Sequence, residues 1–286
     1  MVATRDSVIP LLVALLGPTV ARADALPDAP EACRTDGSVF SRQPRHCLPE
    51  IDTDRPHRTD TPSTVPVGYF QSELGLATYE PRSGSSPATL HFFDALLKVG
   101  VSERADVQIG YSPLALRQRG DRAGWLGAGD LAVGRSLVFR SKIRLLGMAG
   151  SPIQLTVAPL LSIPLGNGAG VEGGGTLLLG AELARWLSWE ANLSVFFEQQ
   201  ETDGRRVAHF VPCTAFTARL VGPFKAFGEI YGERPMVEQD AAWTGTADSG
   251  VVWLITNDVQ LDLALYVGLT SAVPAYTAAS GISWRL

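Results

Sequence analysis

Charged and aromatic side chains recur at alternate positions through most of this chain. Glu73, Asp94, Asp106, Asp130, Glu182, Glu190, Glu198, Glu229, Asp248 and Asp262 share one parity within their segments. So do Lys98, Arg140, Lys142, Arg144, Arg219, Lys225 and Arg285, with Tyr69, Tyr79, Phe92, Phe196, Phe227, Tyr231 and Tyr266. Mixed charges set among aromatic rings suit the noncovalent handling of a small, partly apolar solute. The signatures of covalent chemistry are missing. There is no GxSxG, no HExxH, no CxxC and no Cys/His cluster with zinc-ligand spacing. The glycine-rich run 166–175 (GNGAGVEGGG) lacks the Lys-Ser/Thr of a phosphate loop and reads as an outer loop. His91 and His209 have no evident Ser and acid partners, so no enzyme, cofactor or metal site is expected.

The elements that carry these side chains have a period of two. Val259, Leu261, Leu263, Leu265, Val267 and Leu269 alternate with Gln260, Asp262, Ala264, Tyr266, Gly268 and Thr270. Only a β-strand separates residues onto two faces this way. About twelve such segments follow one another from residue 69 to residue 286. Most approach the roughly ten residues with which a tilted strand crosses a bilayer.

Connections alternate in length. Residues 81–89, 114–129, 166–174, 199–206 and 235–242 form longer links, whereas 100–104, 147–151, 185–187, 221–223 and 256–258 are tight. Short turns at one end and long loops at the other mark an outer-membrane barrel. The apolar faces carry almost no Lys, Glu or Asp, as a lipid-facing exterior requires. In hydrocarbon every backbone group must be paired, so the sheet must close. The expected fold is therefore all-β: a closed antiparallel transmembrane barrel of about twelve strands. His91 and Arg135 fall on the apolar parity and do not fit it.

Composition agrees. The 286 residues are 45% apolar and 19% charged, with a formal net charge of −5. That apolar content excludes a disordered chain, and the acidic balance gives nucleic acid no basic footprint. Outside the first 25 residues no uncharged apolar run approaches the roughly 20 residues of a spanning helix. Residues 1–25 read as a secretory signal peptide, with the apolar core 8–16 and A-x-A sites ending at Ala23 and Ala25. Export permits a disulfide between Cys33 and Cys47, with Cys213 left over. The expected organisation is a signal peptide (1–25), an irregular N-terminal segment (26–66) and an outer-membrane barrel (67–286). Ile282, Trp284 and Leu286 share one face of the last strand. That alternation resembles the C-terminal signal read by the barrel-assembly machinery, although the final residue here is Leu rather than an aromatic.

Residues 51–75 read IDTDRPHRTDTPSTVPVGYFQSELG. Asp54-Arg55-Pro56, Thr61-Pro62, Val65-Pro66, Gly68 and Gln71 through Gly75 resemble the meta-pathway phenol-degradation family of outer-membrane proteins. Gly129-Asp130-Leu131 and Pro164-Leu165-Gly166 echo it further on. The resemblance implies an outer-membrane barrel, partnered by membrane lipid and a small-molecule solute, and often labelled a transporter.

Residues 54–66 are too rich in Pro and Thr to be a central strand. Asp54, Arg55 and Arg58 mix both signs, and two readings stand: a segment tucked into the lumen to pair with wall charges, or a solvated tether. The solute path is expected to run past Glu73, Asp94, Asp130, Glu182, Glu190, Glu229, Asp262, Phe196, Phe227, Tyr231 and Tyr266. Acidic positions outnumber basic ones, which gives a cation-favouring lumen unless each acid is paired with a neighbouring base or with Arg55 or Arg58. The alternatives to passage are a filled, non-conducting barrel and, further off, an outer-membrane lipid hydrolase.

Overall fold

The computed structural model describes residues 39, 42–82, 87–118, 129–133, 136–148, 151–165, 170–199, 204–236 and 241–286, with backbone only at 118 and 129–133. All fall in one unit, Thr35–Leu286. The region read as a signal peptide, Cys33 and Arg135 lie outside the described residues.

Fifteen strands form the sheet: β1 (Phe70–Glu80), β2 (Thr89–Phe92), β3 (Asp94–Ser102), β4 (Ala105–Tyr111), β5 (Leu114–Gln118), β6 (Gly129–Val133), β7 (Ser136–Leu146), β8 (Ile153–Pro164), β9 (Glu172–Ala184), β10 (Leu187–Gln199), β11 (Arg206–Arg219), β12 (Phe224–Pro235), β13 (Thr244–Thr256), β14 (Val259–Gly268) and β15 (Tyr276–Arg285). β2 with β3, β4 with β5, and β6 with β7 are each one path with a local break, so the fifteen strands make twelve staves. Neighbours pair antiparallel, and β1 closes on β15 from Gln71↔Arg285 to Tyr79↔Ala278. Closure satisfies the edge groups that hydrocarbon would leave bare.

The tight connections, the start of β1 and the end of β15 share one end of the barrel. Asn257 and Asp258 join β13 to β14 there, and Glu103 and Arg104 join β3 to β4. Gly222, in the turn before β12, has φ +66°, a conformation that disfavours a side chain. Of the glycine-rich run expected to be a loop, residues 172–175 lie in β9, which begins at Glu172, and residues 166–169 lie outside the described residues. A Cβ on Gly174 would meet Val195 O at 2.2 Å, so glycine lets these staves approach closely.

The outward faces form the apolar belt read from the alternation. Leu193, Ile230, Leu263 and Leu265 are exposed there. Aromatic pairs flank the belt: Phe224 stacks on Trp253 at 6.1 Å at the turn end, and Phe210 meets Trp243 at 6.3 Å at the loop end. Such rings suit the two membrane interfaces.

One stave departs from simple alternation. The register of β1 against β15 shifts between Gly75 and Ala77, and Phe93 has φ +61° at the break between β2 and β3. These irregularities reverse the parity beyond them. His91 therefore lies opposite Thr78 on the inner face, with Nε2 3.8 Å from Glu80. Tyr79 does not line the lumen as its parity predicted; it faces outward and packs against Tyr276 at 6.2 Å. A bulge inserts one residue, and period-two reading loses its phase there.

Candidate functional site

Large polar side chains fill the inner face, and several are fully buried: Gln71, Glu73, Asp106, Gln108, Lys142 and Asn192. What buries them is the N-terminal segment, which runs inside the barrel as a loop. It enters at the turn end, where Arg285 Nη2 donates to Pro49 O (2.7 Å) and Ile51 N to Asn257 O (2.7 Å). It climbs along β14: Gln260 Nε2 donates to Thr53 Oγ1 (2.7 Å), Arg55 pairs with Asp262 (3.1 Å), and the Tyr266 hydroxyl donates to Pro56 O (2.5 Å). The tip is pinned by Glu229, which accepts from Arg58 N and Thr59 Oγ1, both at 2.8 Å.

The return limb descends the opposite wall. Arg140 pairs with Asp60, and Lys142 Nζ donates to Thr61 O at 2.5 Å. Below them Thr156 Oγ1 donates to Pro62 O (2.6 Å), Arg144 Nη2 to Thr64 Oγ1 (2.8 Å), and Asp106 accepts from Val65 N (3.0 Å). Val67 then bridges Gly100 before β1 begins. Both ends of the loop thus leave by the same mouth.

The local sequence explains this course. Pro56, Pro62 and Pro66 lack N–H groups and cannot join a ladder. The remaining buried backbone donors need partners at this depth. Wall carboxylates supply them: Glu73 to Asp54 N, Glu229 to Arg58 N and Asp106 to Val65 N.

The charges of loop and wall are sorted by side. Arg55, His57 and Arg58 face Asp262, Glu190, Glu229 and Asp248 on β10 to β14. Asp54 and Asp60 face Lys98, Arg140 and Lys142 on β3 and β7. Asp54 is the hub, within 2.7 Å of Lys98, 2.5 Å of Lys142 and 2.5 Å of Arg140. Burial works against its ionisation, but these three cations outweigh it and hold the carboxyl well below the usual range.

Most of the expected site residues come together here. Glu73, Glu190, Glu229 and Asp262 line the lumen and fasten the loop that lies in it. Phe227 meets the His57 ring edge-on at 5.4 Å, and the Arg58 guanidinium lies 4.6 Å from the Tyr231 ring and 5.2 Å from that of Tyr266. Phe196 stands nearer the loop end, against Gly174. Asp94 lies opposite Gly75. Glu182 does not join the lumen group; it is exposed near the turn end, its N–H bonded to Pro152 O. The side chain of Asp130 lies outside the described residues. Arg55, His57 and Arg58 pair with wall acids while Asp54 and Asp60 pair with wall bases, so the loop brings both signs into the lumen. The uncharged fasteners Thr156 and Gln260 carry no sequence signal beyond polar identity on the inner parity.

Cys47 is disulfide-bonded, and Cys213 is free and buried on β11. The Cys213 thiol lies against Thr59 at the loop tip, so its alkylation reports whether the loop is seated.

A Cβ on Gly100 would sit 2.2 Å from Pro66 O and 2.4 Å from Val65 O, backbone atoms that cannot step aside with the limb in place. Overpacking of this kind costs about 1–3 kcal/mol. Gly100→Ala should speed Cys213 alkylation by roughly 5- to 150-fold at 1.4 kcal/mol per decade; a rate within twofold of wild type would show that the limb is not held at Gly100.

Seating of the loop also depends on pH. Burial opposes protonation of His57, but Glu190, Glu229, Asp54 and Asp52 outweigh it and raise the imidazole above its usual range. Asp262 also faces this ring. A raised bound-state value stabilises the seated loop fully below about pH 6.5, the ordinary histidine value, and that contribution is lost as pH rises through the raised value. The Asp54 contribution has the opposite sign and is lost only in acid below the ordinary carboxylate range. Cys213 alkylation, divided at each pH by the rate in His57→Gln, should climb on the alkaline side of 6.5. A flat ratio would show that His57 does not help seat the loop.

A closed antiparallel barrel of twelve staves, belted outside and polar within, is the architecture of the outer-membrane porins. The chain is similar to the NanC porin at 10% identity and a TM-score of 0.51, over 76% of this chain and 100% of that one. It is also similar to the KdgM porin (7% identity, TM-score 0.47, 76% and 98% covered) and the outer membrane channel DcaP of Acinetobacter baumannii (6%, 0.35, 76% and 95%). Residues 53–286 match the family described as "Putative MetA-pathway of phenol degradation", and the chain belongs to it. The match begins at Thr53, so it takes in nearly all of the lumen loop. No curated protein matches the chain.

Proposed function

We propose that this protein is an outer-membrane channel for small, partly apolar or aromatic solutes, and that the lumen is their path. One observation carries this reading: among the described residues, an inserted loop occupies the lumen between the wall side chains. Gly100, Gly180, Gly281, Ala264, Ala279 and Thr156 present small groups where the loop lies. A Cβ on Gly180 would meet Pro62 Cγ at 2.6 Å, and one on Gly281 would meet Arg55 Nε at 2.4 Å. A barrel built only as a filled post would meet itself across the lumen with large wall side chains. Here the wall keeps a bore that a polar peptide can occupy.

Solute class follows from what faces the loop tip. Tyr231 and Tyr266 offer ring faces, and Arg58 is already stacked on both. Beyond them, His209 bonds Glu233 at 2.8 Å, and the Tyr231 hydroxyl donates to Glu233 at 2.9 Å. Aromatic surface edged by hydrogen-bonding groups suits a ring carrying a hydroxyl. Membership of a family named for phenol degradation supports the same class.

Uptake into liposomes tests this. Phenol-like solutes should enter faster than sugars of similar size through the wild type, and faster still through Asp54→Asn. Equal entry of both classes would remove the aromatic preference. No entry above protein-free liposomes through either chain would remove the channel.

A further inference from the structure

The lumen loop is bound as a ligand would be bound, yet among the described residues nothing threads it in place. Both limbs pass through the turn-end mouth, at Pro49–Ile51 and Val65–Val67. The loop can therefore leave as a bight, without unpairing any stave. Its contacts to the wall beyond the mouth are side-chain bonds and ion pairs, while the barrel is closed by ladders that do not include it. The wall it would leave behind carries Lys98, Arg140 and Lys142 on one side and Glu190, Glu229 and Asp262 on the other. Those opposed charges would set a field across the bore.

Resting on the channel reading above, we infer that residues 50–66 are a resident gate. They block the lumen when seated and open it by withdrawing through the turn-end mouth. The blocked and open states differ by the Asp54 hub, the Arg55–Asp262 pair and the Glu229 clasp on Arg58 and Thr59. Arg45 pairs with Asp258 at the rim (3.0 Å), and Glu50 pairs with Arg219 and Lys225 (2.8 and 3.2 Å). These contacts lie at the turn-end mouth and can keep the withdrawn loop beside it. The solute then passes where the loop had been.

The native Cys213 makes the test direct, because Thr59 lies against its thiol. Thr59→Cys places two thiols side by side, and their oxidation ties the loop tip to β11. The full chain carrying Thr59→Cys and Asp54→Asn is reconstituted in planar bilayers, reduced and oxidised, with folding checked by heat-modifiable gel mobility. Thr59→Ser with Asp54→Asn is the control that cannot cross-link. If that background fails to fold, Gly100→Ala replaces Asp54→Asn.

The reduced chain should conduct at least tenfold more than the oxidised one, and dithiothreitol should restore the oxidised one. The serine control should not respond to oxidant. Equal conductance in the two redox states would overturn the gate and leave the channel, since solute would then pass beside a fixed loop. A reduced chain whose Cys213 alkylates quickly, so that the loop is out, but which still passes no current would overturn the channel reading and the gate with it.

Discussion

Asp54→Asn should unseat the lumen loop and raise Cys213 alkylation by about two to three and a half orders of magnitude. The reason is what the change leaves behind. Lys98 keeps Glu73 and Arg140 keeps Asp60, but Lys142, fully buried, keeps only the carbonyls of Thr61 and Ser63. Removing one member of a buried charge group costs about 3–5 kcal/mol, most of it the penalty of the charge left unpaired. At 1.4 kcal/mol per decade that is the stated range. Adding Lys142→Met should recover much of the loss, because the orphaned ammonium is gone; such non-additivity separates charge imbalance from general disruption. Alkylation within twofold of wild type in Asp54→Asn would show that this carboxylate is not the hub of the loop's attachment.

The second large effect separates the two faces of one stave. Leu263 lies midway along β14 and points outward, 59% exposed. An arginine there belongs in hydrocarbon and should cost about 2–4 kcal/mol of barrel stability at the midplane, read by urea titration of folding into lipid vesicles. Its neighbour Ala264 points inward and packs with Phe227, Tyr266 and Ala279 beside the loop. Ala264→Arg should leave folding into lipid nearer wild type, since the wall can face water there, but should expel the loop and expose Cys213. The two substitutions thus fail in different assays. Equal losses in the urea titration would show that the assignment of faces on β14 is wrong.

The barrel was largely legible in the sequence because lipid imposes a simple rule on every second residue. Val259 to Leu269 on one side and Gln260 to Tyr266 on the other state both the strand and its facing, and the structure keeps that facing throughout β14. Stave number and the sorting of turns from loops follow from the same rule applied along the chain. The rule loses its phase where a residue is inserted, at Leu76 and Phe93, which is why His91 and Tyr79 exchanged faces.

The N-terminal segment is different in kind. Its prolines show that Asp54 to Pro66 is not a strand, and its mixed charges allow either a loop in the lumen or a tether in water. Choosing between them depends on matching Asp54 to Lys98, Arg140 and Lys142, and Arg55 to Asp262, residues 44 to 207 positions away along the chain. No local period carries that information. Charge sorted to opposite walls becomes visible only when the sheet closes and brings β3 and β7 round to face β14 across one bore. Sequence determined a membrane barrel with a polar interior. Tertiary structure decided that the interior is occupied, and by which part of the chain, because burying so many charges is tolerable only where each meets its partner.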